Sequence, residues 1–209
     1  MSEKLISIDG SALEKVAKEL ADFPKEIKPA IARAVNRTMS SAVTQMKREV
    51  TKEYTVKQKD VAKAIKTTRA TTATLTSTSV ASGGQVALYK FKHTPSKKPP
   101  KQRYKQPVKA QVKKSGGKKV VLNKAGNKAF IQTFHGNDMI FARKGKSRYP
   151  IEKLFSISVP QMISDKNDSK GSITRIRNRA NEILVKTVDQ EIKYRINKVA
   201  KKAMKGGNK

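Results

Sequence analysis

The chain has no cysteine and no tryptophan among its 209 residues. Without cysteine there is no disulfide framework and no thiolate site, as in proteins kept in reducing cytosol. Only two histidines occur, His93 and His135, and neither has a Cys, His or carboxylate at metal-ligand spacing. No apolar run approaches membrane-spanning length. Met1-Ser2-Glu3-Lys4-Leu5 carries no apolar signal core, so a soluble chain without a cleaved export signal is expected. Acidic side chains are scarce: 16 Asp and Glu face 47 Lys and Arg, a formal charge of +31. The deficit is uneven. Residues 1–60 carry 12 basic and 9 acidic side chains, but residues 61–137 carry 17 basic and no acidic ones. Such an acid-free block repels itself unless anions or acidic protein surfaces lie nearby.

The same scarcity leaves a paired-carboxylate catalytic site little to draw on. Ser156 and Ser158 lie in no nucleophile-elbow context. Ser115-Gly116-Gly117-Lys118-Lys119 lacks the length, the Ser/Thr after lysine and the following helix of a phosphate loop, and Gly83-Gly84 fails the dinucleotide pattern. The expectation is a non-enzyme with no catalytic residue, cofactor, metal or small-molecule substrate. No period of 20–50 residues marks a repeat architecture.

What is present is helical periodicity at both ends and strand patterning between them. Ser11 and Glu14 make a capping-box pattern. Leu13, Val16, Ala17 and Leu20 follow at helical spacing up to Phe23-Pro24. A second, longer helix starts near Pro24 or Pro29, since proline is tolerated in a first turn. Its apolar stripe is Ile27, Ile31, Ala34, Val35, Thr38, Ala42, Met46 and Val50, with Arg33, Arg37, Lys47 and Arg48 mostly off it. A short helix is expected from Gln58 to Ile65 with Val61, Ala62 and Ile65 inward. Residues 71–82, rich in Thr and Ser, read as a strand. With Gly83-Gly84 as the turn and residues 85–93 as the return, they predict a hairpin. Residues 94–107 hold four prolines and no aliphatic side chain, and read as a flexible insertion. Residues 108–113 and 120–122 predict another hairpin, its lysines opposing edge-to-edge pairing. The last helix is expected from about Ile173 to Ala203, after a linker over 164–172. Its stripe is Ile173, Ile176, Ala180, Ile183, Leu184, Val188, Ile192, Ile196 and Val199, and Glu182–Lys186 and Glu191–Arg195 would be supporting pairs.

Residues 129–162 organise the middle of the chain. Two apolar runs flank a polar turn, His135-Gly136-Asn137-Asp138, and predict a β-hairpin. A basic turn, Arg143-Lys144-Gly145-Lys146-Ser147-Arg148, leads into Tyr149-Pro150-Ile151, extended because proline disfavours the helical region for the residue before it. Leu154, Phe155, Ile157 and Val159 make a half-buried segment closed by Pro160. This stretch resembles the minor tail protein Z family of long-tailed phages and prophages. The matching residues are Ala129, Phe130, Arg143, Gly145, Arg148, Pro150, Ile151, Leu154, Ser158, Val159, Pro160 and Met162, with weaker agreement at Arg33-Ala34-Val35-Asn36-Arg37-Thr38 and in the helical C-terminus.

The resemblance implies a structural virion protein made in the host cytoplasm: a tail-completion component at the head-proximal end, assembled as a homo-oligomeric ring. Its partners would be tail tube, tail terminator or head-tail connector proteins, with possible transient DNA contact and no membrane. The fold expected is α+β, a mostly antiparallel sheet packed by the long second helix, with a long C-terminal helix. The regions are 1–70 (helical), 71–163 (sheet, with insertion 94–107) and 164–209 (linker and helix), all one domain. Arg143, Lys144, Lys146, Arg148, Tyr149 and Pro150 form a candidate interface. Lys97, Lys98, Lys101, Arg103, Lys105, Lys113, Lys114, Lys118 and Lys119 are candidates for contact with an anion or acidic partner. For this basic block three readings stay open: a solvated loop, docking onto an acidic neighbour, or tracking of phosphates through counterion release. The competing function is a sequence-independent nucleic-acid binder using residues 61–137.

Overall fold

The computed structural model describes residues 2–9, 24–98, 107–164 and 172–206. In chain order these form β1 (Ser2–Asp9), α1 (Pro24–Glu53), α2 (Gln58–Ala62), β2 (Ile65–Thr68), β3 (Thr76–Ser82), β4 (Gln85–Ala87), a 3-10 turn (Leu88–Lys90), β5 (Lys92–Thr94), β6 (Lys109–Gln111), β7 (Lys119–Val120), β8 (Phe130–Phe134), β9 (Asn137–Arg143), β10 (Ile151–Lys153), β11 (Phe155–Ser158), α3 (Val159–Ile163) and α4 (Ser172–Gly206). The α+β class holds. The strands, however, fall into four small sheets, in the orders β1-β3-β2, β10-β9-β8, β11-β4 and β5-β6-β7. The helix expected over Ser11 to Leu20, the middle of the insertion (99–106) and most of the linker (165–171) lie outside the described residues.

Contacts gather the chain into two units, each assembled from separate stretches. A helical unit takes Ser2–Met46, Ile65–Ala81 and Lys166–Lys209; a sheet unit takes Lys47–Ala64 and Ser82–Asp165.

In the helical unit, α1 begins at Pro24 and carries Pro29 within it. The predicted stripe is the buried one: Ile31, Ala34, Val35, Thr38, Ala42 and Met46 are all buried there. Asn36, beside the stripe, donates from Nδ2 to Ala70 O and accepts from Ala70 N, both at 2.8 Å, which pins the β2–β3 loop to α1. In β3 the small face is the covered one, with Ser77, Ser79 and Ala81 at 0% exposure. On α4, Ile176, Ala180, Val188 and Ile192 are buried, but Ile196 is exposed, against expectation. Glu182 pairs with Arg179 at 2.9 Å, the i−3 neighbour, and not with the expected Lys186.

Two strand readings need correction in this unit. β1 was not anticipated. The hairpin of residues 71–82 with 85–93 does not form: β3 pairs antiparallel with β2, from Ile65↔Ala81 to Thr68↔Thr78. The short helix ends at Ala62, and Ile65 opens β2. β2 is Ile-Lys-Thr-Thr, mostly β-branched and suited to a pleated surface. A local turn makes it the cheaper partner: the Thr71 and Thr74 hydroxyls and backbone amides bond one another at 3.0–3.2 Å.

In the sheet unit, β8 and β9 form the predicted hairpin, in register from Phe130↔Phe141 to Phe134↔Asn137. The turn is tighter than read from sequence, two residues, His135 (φ +48°) and Gly136 (φ +73°). Positive φ at both positions matches the right-handed twist of the flanking strands. β10 adds to β9 with Ile151↔Arg143. Ile131, Ile140 and Ala142 are buried inside this meander. Residues 85–93 are not one strand: the 3-10 turn interrupts them. Three residues per turn bring Leu88 and Phe91 to the same side, where alternation would have separated them, and both are buried. The hairpin of residues 108–113 and 120–122 appears as β6 with β7. Pro160 opens α3 and does not close a strand. Ser158 accepts from Gln161 N while the Gln161 side chain reaches back to Ser158 N, a full capping box with proline in the first turn.

Candidate functional site

The basic turn after β9 is a loop closed at its base. Lys144 N–H donates to Pro150 O at 3.0 Å. Beneath it, Asn123 and Asn127 hold the Arg143 carbonyl, their Nδ2 groups donating at 2.8 and 2.9 Å. Asn123 Nδ2 also reaches Glu152 Oε1 at 3.0 Å, and its Oδ1 accepts from Asn127 N at 2.8 Å. The two asparagines thus tie a short turn, the start of the loop and β10 together. Sequence reasoning missed this clamp; Asn-Lys-Ala-Gly-Asn reads only as a turn.

Beyond that base, residues 143–150 are all exposed. No described acidic side chain pairs with Arg143, Lys144, Lys146 or Arg148. Arg148 lies 5.8 Å from the centre of the Tyr149 ring, a cation–π distance, and Tyr149 is 66% exposed. The loop therefore presents four cations and an aromatic ring on a pinned base. An acidic or phosphate-bearing surface can be met there without the cost of ordering the loop base first.

The second predicted set disperses. Lys101, Arg103 and Lys105 lie outside the described residues. Lys113 is engaged, 3.1 Å from Glu53 and 5.4 Å from the centre of the Tyr54 ring. Lys118 donates to Thr94 Oγ1. Lys119 stands exposed on β7, paired in register with Ala110. Lys97 and Lys98 are exposed, and Lys98 N–H donates to Asp138 Oδ2 at 3.1 Å. Asp138 thereby tethers the entry to the insertion onto the hairpin. Its other oxygen accepts from Thr133 Oγ1 at 2.6 Å. The Thr133 hydroxyl first, then the Lys98 amide, hold the Asp138 carboxyl below the ordinary carboxylate range. Burial first, and then the nearby Asp138 charge, push the Tyr89 phenol up. Lys114 alone of this set lines a groove, together with Lys57, Lys59, Lys90 and Lys92, which sequence reasoning had not singled out.

His93 donates from Nδ1 to Phe91 O at 2.7 Å, and its ring packs 4.4 Å from Tyr89. His135 sits exposed in the hairpin turn. Among the described residues no group of three or more His, Asp or Glu could hold a metal ion, and no helix is long and apolar enough to cross a membrane.

The family model for prophage minor tail protein Z (GPZ) matches residues 11–202. The chain belongs to that family. As a minor tail protein Z it is a structural component of a phage tail, and the virion tail is its place of work. No curated protein and no solved structure matches the chain. The match takes in both units, including the 143–150 loop and its asparagine clamp.

Proposed function

We propose that this minor tail protein Z completes the tail at its head-proximal end. Copies of the chain close into a ring that caps the finished tube and joins it to connector or terminator proteins around a continuous channel for DNA. Its work is binding and not catalysis. The observation that carries this reading is the exposed, pinned loop 143–150, with four cations that no described acid neutralises. Loops of this kind suit contacts that repeat head to tail and close by rotation. The charge steers each copy toward acidic neighbours and fixes its register more than it adds affinity.

The test is a map of the intact virion together with tail-assembly complementation by Arg143→Gln/Lys144→Gln/Lys146→Gln/Arg148→Gln. Density for the protein at the neck, and tails that fail to join heads with the variant folded, are the expected results. Density elsewhere in the tail refutes the position; full complementation refutes the loop.

One observation favours a second reading: the acid-free block 61–137. A sequence-independent nucleic-acid binder predicts tight DNA association of the free subunit that weakens steeply with salt. Titration of purified protein with DNA at two salt concentrations separates the two readings.

A further inference from the structure

A groove of about 1020 Å³ opens on the sheet unit. Lys57 and Lys59 come to it from α2 and its N-terminal approach, Lys90 and Lys92 from the 3-10 turn and β5, and Lys114 from the turn after β6. These positions are up to 57 residues apart in sequence, and only the fold unites them. The acidic residue on the wall, Asp60, is already occupied, 3.0 Å from Lys90. No described acidic side chain pairs with Lys57, Lys59, Lys92 or Lys114, and all four are exposed.

Several of the groove's other polar groups are satisfied within it, while His93 Nε2 is buried with no hydrogen-bond partner among the described residues. Thr55 Oγ1 accepts from Lys92 N at 3.0 Å and donates to Gln111 O. Gln111 Nε2 is taken up by the carbonyls of Lys114 and Gly116. The Tyr89 hydroxyl donates to Ser96 O at 3.0 Å. What remains for a partner is a set of exposed ammonium groups lining one groove. Gathered on one wall, they favour negative charge, since like charges repel and an anion between them relieves the repulsion.

We infer that this groove seats an acidic, extended polypeptide segment of a neighbouring tail protein. The groove is at the upper end of the range for small-molecule pockets, which run to about 1,000 Å³, and has room for a chain segment with carboxylates spaced along it. Nucleic acid fits less well. No described arginine lines the groove, so none of its described side chains offers the planar fork that grips phosphate bidentately. Its described aromatics are engaged: Phe91 is 2% exposed and Tyr89 packs on His93, so neither offers a platform for base stacking. The inference does not depend on where in the tail the subunit sits, so it survives if the head-proximal ring is refuted.

The experiment uses the full-length protein and a fluorescently labelled oligoglutamate peptide, followed by anisotropy, with a single-stranded oligonucleotide of equal charge as competitor. Two variants each remove three exposed lysines: Lys57→Gln/Lys59→Gln/Lys92→Gln in the groove, and Lys186→Gln/Lys193→Gln/Lys198→Gln on α4. The groove variant is expected to bind the peptide about tenfold more weakly, as three partly screened ion pairs would give, and the α4 variant to bind as wild type. The reversed Lys57→Glu/Lys59→Glu chain should in turn take up oligolysine. Equal loss in both triple variants overturns the inference in favour of bulk charge. An oligonucleotide that displaces the peptide, and whose own binding fails only in the groove variant, overturns it in favour of a nucleic-acid site. Absence of peptide binding to wild type also overturns it.

Discussion

Arg195 is 5% exposed and Glu191 6%, one turn apart on α4. The Arg195 guanidinium meets Glu26 of α1 and lies 4.0 Å from Glu191, which also takes Arg37 of α1 at 3.3 Å. What the sequence presents as an ordinary i,i+4 surface pair is thus part of a four-charge network that locks α4 to α1. Breaking a buried pair leaves an uncompensated charge. Arg195→Ala should cost about 3–5 kcal/mol in urea unfolding, and Arg195→Met/Glu191→Leu, which removes both charges, should recover much of it. Thr38 sits at 0% exposure with its hydroxyl unpartnered among the described residues. Thr38→Val removes that unsatisfied group at little change in shape and should stabilise the fold by roughly 1 kcal/mol, read from the unfolding midpoint. Asp138 has a depressed pKa in the folded chain. Its tether to Lys98 is therefore present above the unfolded-state carboxylate range and lost only as pH falls through the lower folded value. Protection of the Lys98 amide, its exchange rate taken relative to the intrinsic rate at each pH, should hold into mild acid and fall below that range, while in Asp138→Asn that protection should be lower and should not change with pH across the range.

At the scale of elements, the loop 143–150 depends on neighbours that carry no charge. Asn123 and Asn127 fix the Arg143 carbonyl and leave the cations free to face outward. Asn123→Ala/Asn127→Ala should cost about 1–3 kcal/mol, since four hydrogen bonds are lost and each is worth roughly 0.5–1.5 kcal/mol, the exposed ones at the low end. Partner binding by the loop should weaken with its four cations unchanged, because the loop must then be ordered at the moment of contact. Calorimetry would show the loss as a less favourable binding entropy; equal binding of variant and wild type would leave the clamp a purely structural feature. The same scale shows where pattern reading succeeds. The two-residue His135-Gly136 turn and the apolar runs either side of it fix the β8–β9 register locally, so the hairpin was legible. β3 was not assigned to its true partners, β1 and β2, because β2 and β4 both lie within reach along the chain and alternation does not say which one pairs.

The whole molecule carries +31, and its acid-free block repels itself unless negative charge lies nearby. Association with tail components should fall steeply as salt rises from about 50 to about 200 mM, whichever basic surface makes the contact, because exposed charges beyond a Debye length of roughly 8–10 Å are screened. Sedimentation of the protein with purified tails at the two salt concentrations measures this. Persistence of the complex at high salt would point to an interface dominated by apolar burial, for which the exposed Val120, Leu122, Phe134, Tyr149 and Phe155 are candidate anchors in the sheet unit.

The sequence by itself determined the two long helices and their buried stripes, the β8–β9 hairpin, the basic loop and the family to which the chain belongs. Each is written in a short window, where periodicity records which face leaves water and turn chemistry records where the chain reverses. The tertiary structure decided who covers those faces: β2 rather than β4 beside β3, Glu191 and Arg195 turned inward against α1, and Lys57 and Lys59 brought to Lys92 and Lys114. Such pairings span tens to more than a hundred residues. Local pattern fixes the need for a partner, and only the packing of distant segments selects which one meets it.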